Sequence, residues 1–299
     1  MACLEAPWAD ETILESEAVP ISVPPNSSCI VRGSEVYRLL DRINNGRTPT
    51  SVYKARGLES NSLFVVKTYS SEEGVQSSVG EERFERERRI QEALKEGGSD
   101  HENILFMHEA LTDRHYMIYP FIEGNTLDDL LERDLAFEEV VKVTFSTCLG
   151  LIYAHDRGVV HRDIKPANLI LGNEGKLKII DFDIGKCKTT GDLRKTKIAG
   201  TPLYEAPEIK LPGISSDQRV DVYSMGVMLY LMLSGEFPFD GNNPDELLEN
   251  KMKMQYKVPD NTRIPDRFKP VLNKSLQVDR NNRYENIGQF MTDFAVALV

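Results

Sequence analysis

Residues 161–168 read His161-Arg162-Asp163-Ile164-Lys165-Pro166-Ala167-Asn168, and Asp181 follows thirteen residues after the amide. A carboxylate, an ammonium and a carboxamide thus stand at offsets of two and five. A second carboxylate closes the strand-like run Leu177-Lys178-Ile179-Ile180. Phosphoryl transfer uses these groups: an acceptor that orients or deprotonates a hydroxyl, a positive charge on the moving phosphoryl group, and hard oxygen ligands for magnesium. All of them fall within twenty-one residues. The plain alternative, a polar surface loop, gives no reason for these types at these spacings.

Something must hold those groups. Upstream of them Phe137, Val141, Phe145, Cys148 and Ile152 recur at helical spacing, with Gly158 placed as a C-terminal cap. Residues 36–69 read as strands, rich in β-branched and aromatic types at Val52-Tyr53 and Leu63-Phe64-Val65-Val66, with Asn45-Gly46 as a hairpin turn. Residues 81–95 predict a helix whose packed stripe is Phe84, Glu87, Gln91 and Leu94. Glu82/Arg86 and Glu85/Arg89 would pair at i,i+4 on its exposed face. A carboxylate on a packed stripe needs a cation, since an uncompensated buried charge costs about several kcal/mol. Residues 116–121 form another strand, and Gly124 follows as a hinge element. Beyond it the chain is mainly helical, and residues 221–234 are apolar nearly all round, the mark of a central buried helix. A β-rich first half and a helical second half imply two lobes with a cleft, a common place for ligands.

Composition bounds the rest. The 299 residues suffice for one large core or two moderate ones, and 40% hydrophobic with 28% charged residues is ordinary for a soluble protein. A net charge of −11 argues against nucleic acid or an anionic membrane as partner. Cys3, Cys29, Cys148 and Cys187 have no pairing or metal-ligand spacing and read as free thiols in a reducing compartment. With no basic-then-apolar start, and an apolar run (residues 227–233) too short to span a bilayer, the expected location is cytoplasmic. Residues 1–34, acidic and broken by Pro20, Pro24 and Pro25, read as a mobile extension that could dock a regulatory partner.

Together these segments resemble the eukaryotic-type (Hanks-type) serine/threonine protein kinase family over residues 37–299. The resemblance implies an α+β, two-lobed kinase fold: an N-lobe over residues 35–121, a hinge over 119–124 and a C-lobe over 125–299. It implies ATP and Mg2+ as cofactors and Ser or Thr of a protein as substrate. Lys67, in Val65-Val66-Lys67, corresponds to the lysine on the ATP phosphates, and Glu87 to its helix partner. Asp163 would accept or orient the substrate hydroxyl proton, and Lys165, typical of Ser/Thr-directed members, would neutralise the transferring phosphate. Asn168 and Asp181 would hold magnesium. Adenine would lie among Ile43, Val52, Val65 and Ile170, against the Pro120 carbonyl and the Ile122 amide. The run Gly200-Thr201-Pro202-Leu203-Tyr204-Glu205-Ala206-Pro207-Glu208 matches the end of the activation segment, which small-molecule kinases lack. Glu208 would pair with Arg283, and Asp221 would brace the catalytic loop. Arg162 would meet a phosphate on Thr189, Thr190 or Thr196.

The chain departs from the family in three places. Asn45, Arg47 and Thr50 stand where its phosphate loop carries glycines, so either the loop binds nucleotide weakly or side-chain donors such as Arg47 take over. Asp183 replaces a glycine, and Gln91 puts an amide on an apolar stripe. The altered loop leaves a second reading open, a pseudokinase that scaffolds a partner.

Overall fold

The computed structural model describes residues 30–43, 50–69, 78–98, 100–182, 186–187, 202–211, 216–253 and 263–299. The Asn45-Gly46 turn, Arg47, Asp183, the three activation-segment threonines and the first 29 residues lie outside them. The chain divides into two compact units, residues 1–88 with 106–121, and residues 89–105 with 122–299.

The first unit is an antiparallel sheet with strand order β1-β2-β3-β4-β6-β5. Its strands are β1 (Ile30–Arg32), β2 (Val36–Arg42), β3 (Ser51–Gly57), β4 (Leu63–Thr68), β5 (Glu109–Leu111) and β6 (Tyr116–Pro120). The sheet begins inside the segment read as an extension: Val31 is fully buried and pairs with Tyr37. Strand β3 alternates buried and half-buried residues, so each side chain is assigned to one face. One face carries the core of Val31, Tyr37, Ala55, Phe64, Val66, Tyr116 and Ile118. The registers Val52↔Lys67, Lys54↔Val65 and Val65↔Tyr119 put Val52, Val65, Lys67 and Tyr119 on the other.

Helix α1 (Ser78–Lys95) starts in the first unit and ends in the second. Its predicted stripe is the buried one: Phe84, Glu87, Gln91 and Leu94 are each at most 1% exposed. The exposed placement expected of Arg86 needs correction. Arg86 is buried, and Glu85 meets Arg88 at i,i+3, 2.9 Å away.

In the second unit β7 (Gly124–Thr126), β9 (Leu169–Gly172) and β10 (Leu177–Ile179) form an antiparallel sheet, and β8 (Val159–Val160) pairs with β11 (Lys186–Cys187). Gly124 serves close packing: a Cβ there would sit 2.2 Å from the Leu171 carbonyl oxygen. The helices are α2 (Leu127–Leu130), α3 (Phe137–Asp156), α4 (Arg219–Ser234), α5 (Pro244–Met252), α6 (Lys269–Ser275) and α7 (Ile287–Val296). As expected of the central helix, α4 is buried nearly all round, and it ends at Gly235 with φ 77°. The stripe read for α3 is displaced. Its buried residues include Val140, Val143, Thr147, Cys148, Leu151 and Ala154, whereas Phe137 is 37% exposed. The helix is apolar on two flanks, and Phe145 packs edge-on against the buried Phe294 of α7 at 5.5 Å. Gly158, at φ 72°, closes α3 as expected and bonds back to the His155 carbonyl. No helix among the described residues is long and apolar enough to cross a membrane.

Candidate active site

In the second unit, Asp163, Lys165 and Asn168 lie between β8 and β9, and the Pro166–Asn168 3-10 turn, with its proline at the first position, closes the segment. Lys165 Nζ donates to Asp163 Oδ2 at 2.6 Å. The Asn168 amide nitrogen donates to the Asp163 backbone carbonyl at 2.8 Å and to Oδ2 at 3.1 Å. The three groups named from their spacing are therefore one hydrogen-bonded cluster, with Asp163 buried and Lys165 half-buried.

Asp181 is set against this cluster by backbone pairing. Leu169 pairs with Ile179 in the β9/β10 ladder, and the Ile180 amide extends it by donating to the Asn168 carbonyl at 3.0 Å. Asp181 then turns out of line at φ 64°, a left-handed conformation that aspartate tolerates better than most residues. Since Asn168 commits its nitrogen to Asp163, its side-chain oxygen is the atom left for a hard cation. Asp181 adds a carboxylate one residue past that backbone bond. Two oxygen donors suit magnesium, which seldom takes an all-protein cage. Among the described residues no cluster of three or more His, Cys, Asp or Glu could form such a cage.

The loop is braced from below by Asp221, fully buried near the start of α4. Its Oδ1 accepts the Arg162 amide at 2.7 Å, while Oδ2 accepts the His161 amide at 2.9 Å and His155 Nε2 at 2.7 Å. Burial opposes its ionisation, but the His155 hydrogen bond, the neighbouring imidazoles and the Arg162 amide outweigh it. They hold the carboxyl below its ordinary range. The bond to its amide also fixes Arg162 at φ 70°, a strained conformation for arginine. His161 donates from Nε2 to the Ile180 carbonyl at 3.1 Å, accepts the Asp163 amide at Nδ1 and lies against Phe182.

A second brace holds the segment after Pro202. Arg283 donates to both oxygens of Glu208, at 2.7 and 2.8 Å, and both side chains are buried. Sequence reasoning missed Lys251 of α5, 3% exposed, which donates to the carbonyls of Pro202, Leu203 and Glu205 at 2.5, 3.1 and 2.8 Å. Burial pushes its pKa down to about 7, with Glu205 opposing. A lysine on an otherwise ordinary amphipathic helix gave no signal for this role.

In the first unit Lys67 Nζ donates to Glu87 Oε2 at 2.8 Å, as the stripe position of Glu87 required. Sequence reasoning missed two further donors to that carboxylate, the hydroxyls of Tyr69 and Tyr119. Period-2 spacing from Lys67 to Tyr69 was the available signal. Of the residues named for adenine, Val52 and Val65 share the face of Lys67, Ile43 is half-exposed with its amide bonded to the Val52 carbonyl, and Pro120 ends β6 exposed. Ile170 and Ile122 belong to the second unit. Gln91 is buried, its amide aimed at the Leu105 carbonyl 3.5 Å away.

Residues 37–293 match the family model for the protein kinase domain. The chain is 28% identical over 264 residues to a probable serine/threonine-protein kinase of Clostridium perfringens, covering 86% of this chain and 37% of that protein. It is 29% identical to CBL-interacting serine/threonine-protein kinase 20 of Arabidopsis thaliana, over 86% of this chain and 57% of the relative. Aurora kinase A-B of Xenopus laevis is 32% identical, over 78% of this chain and 55% of its own length. The chain thus spans between about a third and three fifths of these relatives.

Proposed function

We propose that this chain, which belongs to the protein kinase family, transfers the γ-phosphoryl group of ATP to a serine or threonine hydroxyl of a protein. The Asp163–Lys165–Asn168 cluster carries the reading. Asp163 accepts the proton as the substrate oxygen bonds to phosphorus and the bond to the β-phosphate oxygen breaks. Lys165, 2.6 Å from that carboxylate, stands where it neutralises the equatorial oxygens. Lys67, oriented by Glu87, contacts the nucleotide phosphates. Asn168 Oδ1 and the Asp181 carboxylate would hold magnesium, which would offset phosphate charge. Val52 and Val65, beside Lys67 on the sheet, offer adenine an apolar surface, together with Ile43, Ile170, the Pro120 carbonyl and the Ile122 amide.

The Glu208–Arg283 pair and the Lys251 anchor keep residues 202–208 in place, which supports a protein rather than a small metabolite as acceptor. Ala167 and Leu231 are uncharged where relatives that favour arginine near the target carry glutamate, so no strong arginine requirement is expected. The acidic first residues would serve a regulatory partner, and thiols without pairing spacing support the cytoplasm as the working compartment.

Incubation with γ-labelled ATP, magnesium and a mixed Ser/Thr protein substrate tests the reading. Label on Ser or Thr supports it. Nucleotide binding without transfer would favour the scaffold reading, and label on a small alcohol alone would favour a metabolite kinase. We further propose that the glycine-poor loop weakens nucleotide binding. Combined Arg47→Gly and Thr50→Gly replacement is then expected to lower KM for ATP with a smaller change in kcat. Weaker binding by that variant would instead make Arg47 a phosphate contact.

A further inference from the structure

Glu87 is 1% exposed, and a carboxylate has two oxygens with about four acceptor positions to satisfy. Lys67 takes one, on Oε2. Tyr69 donates its hydroxyl to the same oxygen and Tyr119 donates to Oε1, so the carboxylate is gripped from β4, from the residue just past it and from β6. Both tyrosines are buried, at 1% and 7% exposure. Tyr69 meets α1 twice, since its ring also lies edge-on to Phe84, 5.8 Å between centroids and one turn before Glu87. The Lys67 ammonium lies 5.4 Å from the centre of the Tyr69 ring.

Core tyrosines need a partner for their hydroxyls, and any carbonyl would serve that purpose. Here two of them converge on the one carboxylate that orients the phosphate-binding lysine. Neutral donors suit this task. They stabilise the negative charge of Glu87 without adding a second positive charge, so the carboxylate stays ionised and its attraction for Lys67 is kept. They also satisfy lone pairs that a single ammonium leaves, which a buried ion pair requires to be stable.

We infer that Tyr69 and Tyr119 are positioning residues of the phosphate-binding pair, clamping Glu87 and through it fixing the Lys67 ammonium for the nucleotide. The inference rests on the phosphoryl-transfer reading for its catalytic consequence, but not for its effect on Lys67 itself.

The test compares wild type with Tyr69→Phe, Tyr119→Phe and the double variant, which keep the rings and lose only the hydroxyls. Two readouts are taken: kcat/KM for ATP, and the acylation rate of Lys67 by an amine-reactive reagent, followed by mass spectrometry. Loss of hydrogen bonds to a charged group is expected to lower kcat/KM by about tenfold in the double variant. Lys67 should acylate at a clearly different rate once its partner is unclamped. In a Glu87→Gln background the same Tyr→Phe changes should alter either readout less than about twofold, because the clamp then has no carboxylate to hold. An equal effect with and without Glu87 would assign the tyrosines to packing and overturn the inference, as would wild-type values in the double variant. If the double variant does not fold, the singles carry the same test. A wild-type chain that transfers no phosphate while Lys67 labelling still depends on the tyrosines would reject the kinase reading and keep the clamp.

Discussion

The two lysine–carboxylate pairs are built in opposite ways. Asp163 and Lys165 are two residues apart, 2.6 Å in contact, and their loop is fixed by backbone bonds to one buried carboxylate, Asp221. Lys67 and Glu87 are twenty residues apart, on a strand and a helix, and their geometry depends on a shared face, a packed stripe and two tyrosine hydroxyls. Local chain geometry specifies the first pair. Tertiary packing specifies the second, so it is the one that distant substitutions should disturb.

Breaking the braces of the second unit is expected to cost most. Arg283→Met leaves Glu208 buried without its bidentate partner, and about 3–5 kcal/mol of stability should be lost. Urea unfolding with an unchanged m-value checks it. Next in size, Asp163→Asn and Lys67→Met should each slow phosphoryl transfer by roughly a hundredfold, with the Asp163→Asn melting curve close to wild type. A large effect from only one of them would mean that the two pairs do not serve one reaction.

Asp221→Asn sharpens the contrast through pH. The variant should lose about 1–3 kcal/mol at pH 7, since an amide cannot accept from His155 and two backbone amides equally well. The folded pKa of Asp221 lies below its ordinary 3.8. Its stabilisation is therefore complete above that value and declines as pH falls through the lower folded one. Urea midpoints at pH 7, 5, 4 and 3 should converge at the acid end. For Lys251 the sign is reversed. Its folded pKa is about 7 against an ordinary 10.5, so the unfolded chain binds the extra proton between those values and stability rises with pH there. Lys251→Met should flatten that rise, readable as a slope of Tm between pH 7 and 9.

The same contrast governs what could be read in advance. His161 to Asn168 and Asp181 sit close enough in sequence for chemistry to be read from spacing, and the structure joins Asp163, Lys165 and Asn168 directly. Glu87 was legible because an acid on an apolar stripe demands a cation. The tyrosine hydroxyls and the Lys251 anchor were not: period-2 spacing sets Tyr69 on the face of Lys67, but the partners lie 18, 32 and 46 or more residues away and spacing alone names no hydrogen-bond partner. The α3 stripe was displaced for a related reason: a helix apolar on two flanks does not say which flank goes inside. Arg86 shows that charge spacing on a helix does not by itself say which face stays in water, since this residue, read as exposed, is buried.

The most direct measurement is a pair of experiments on Asp163→Asn: titration with a non-hydrolysable ATP analogue and magnesium, and the transfer rate from labelled ATP. The groups assigned to nucleotide, Lys67, Asn168 and Asp181, keep their own side chains, and Asn168 keeps its bond to the backbone carbonyl of residue 163. Binding should stay within about twofold of wild type while transfer falls by roughly a hundredfold. Transfer at the wild-type rate would contradict the assignment of Asp163 and, with it, the mechanism.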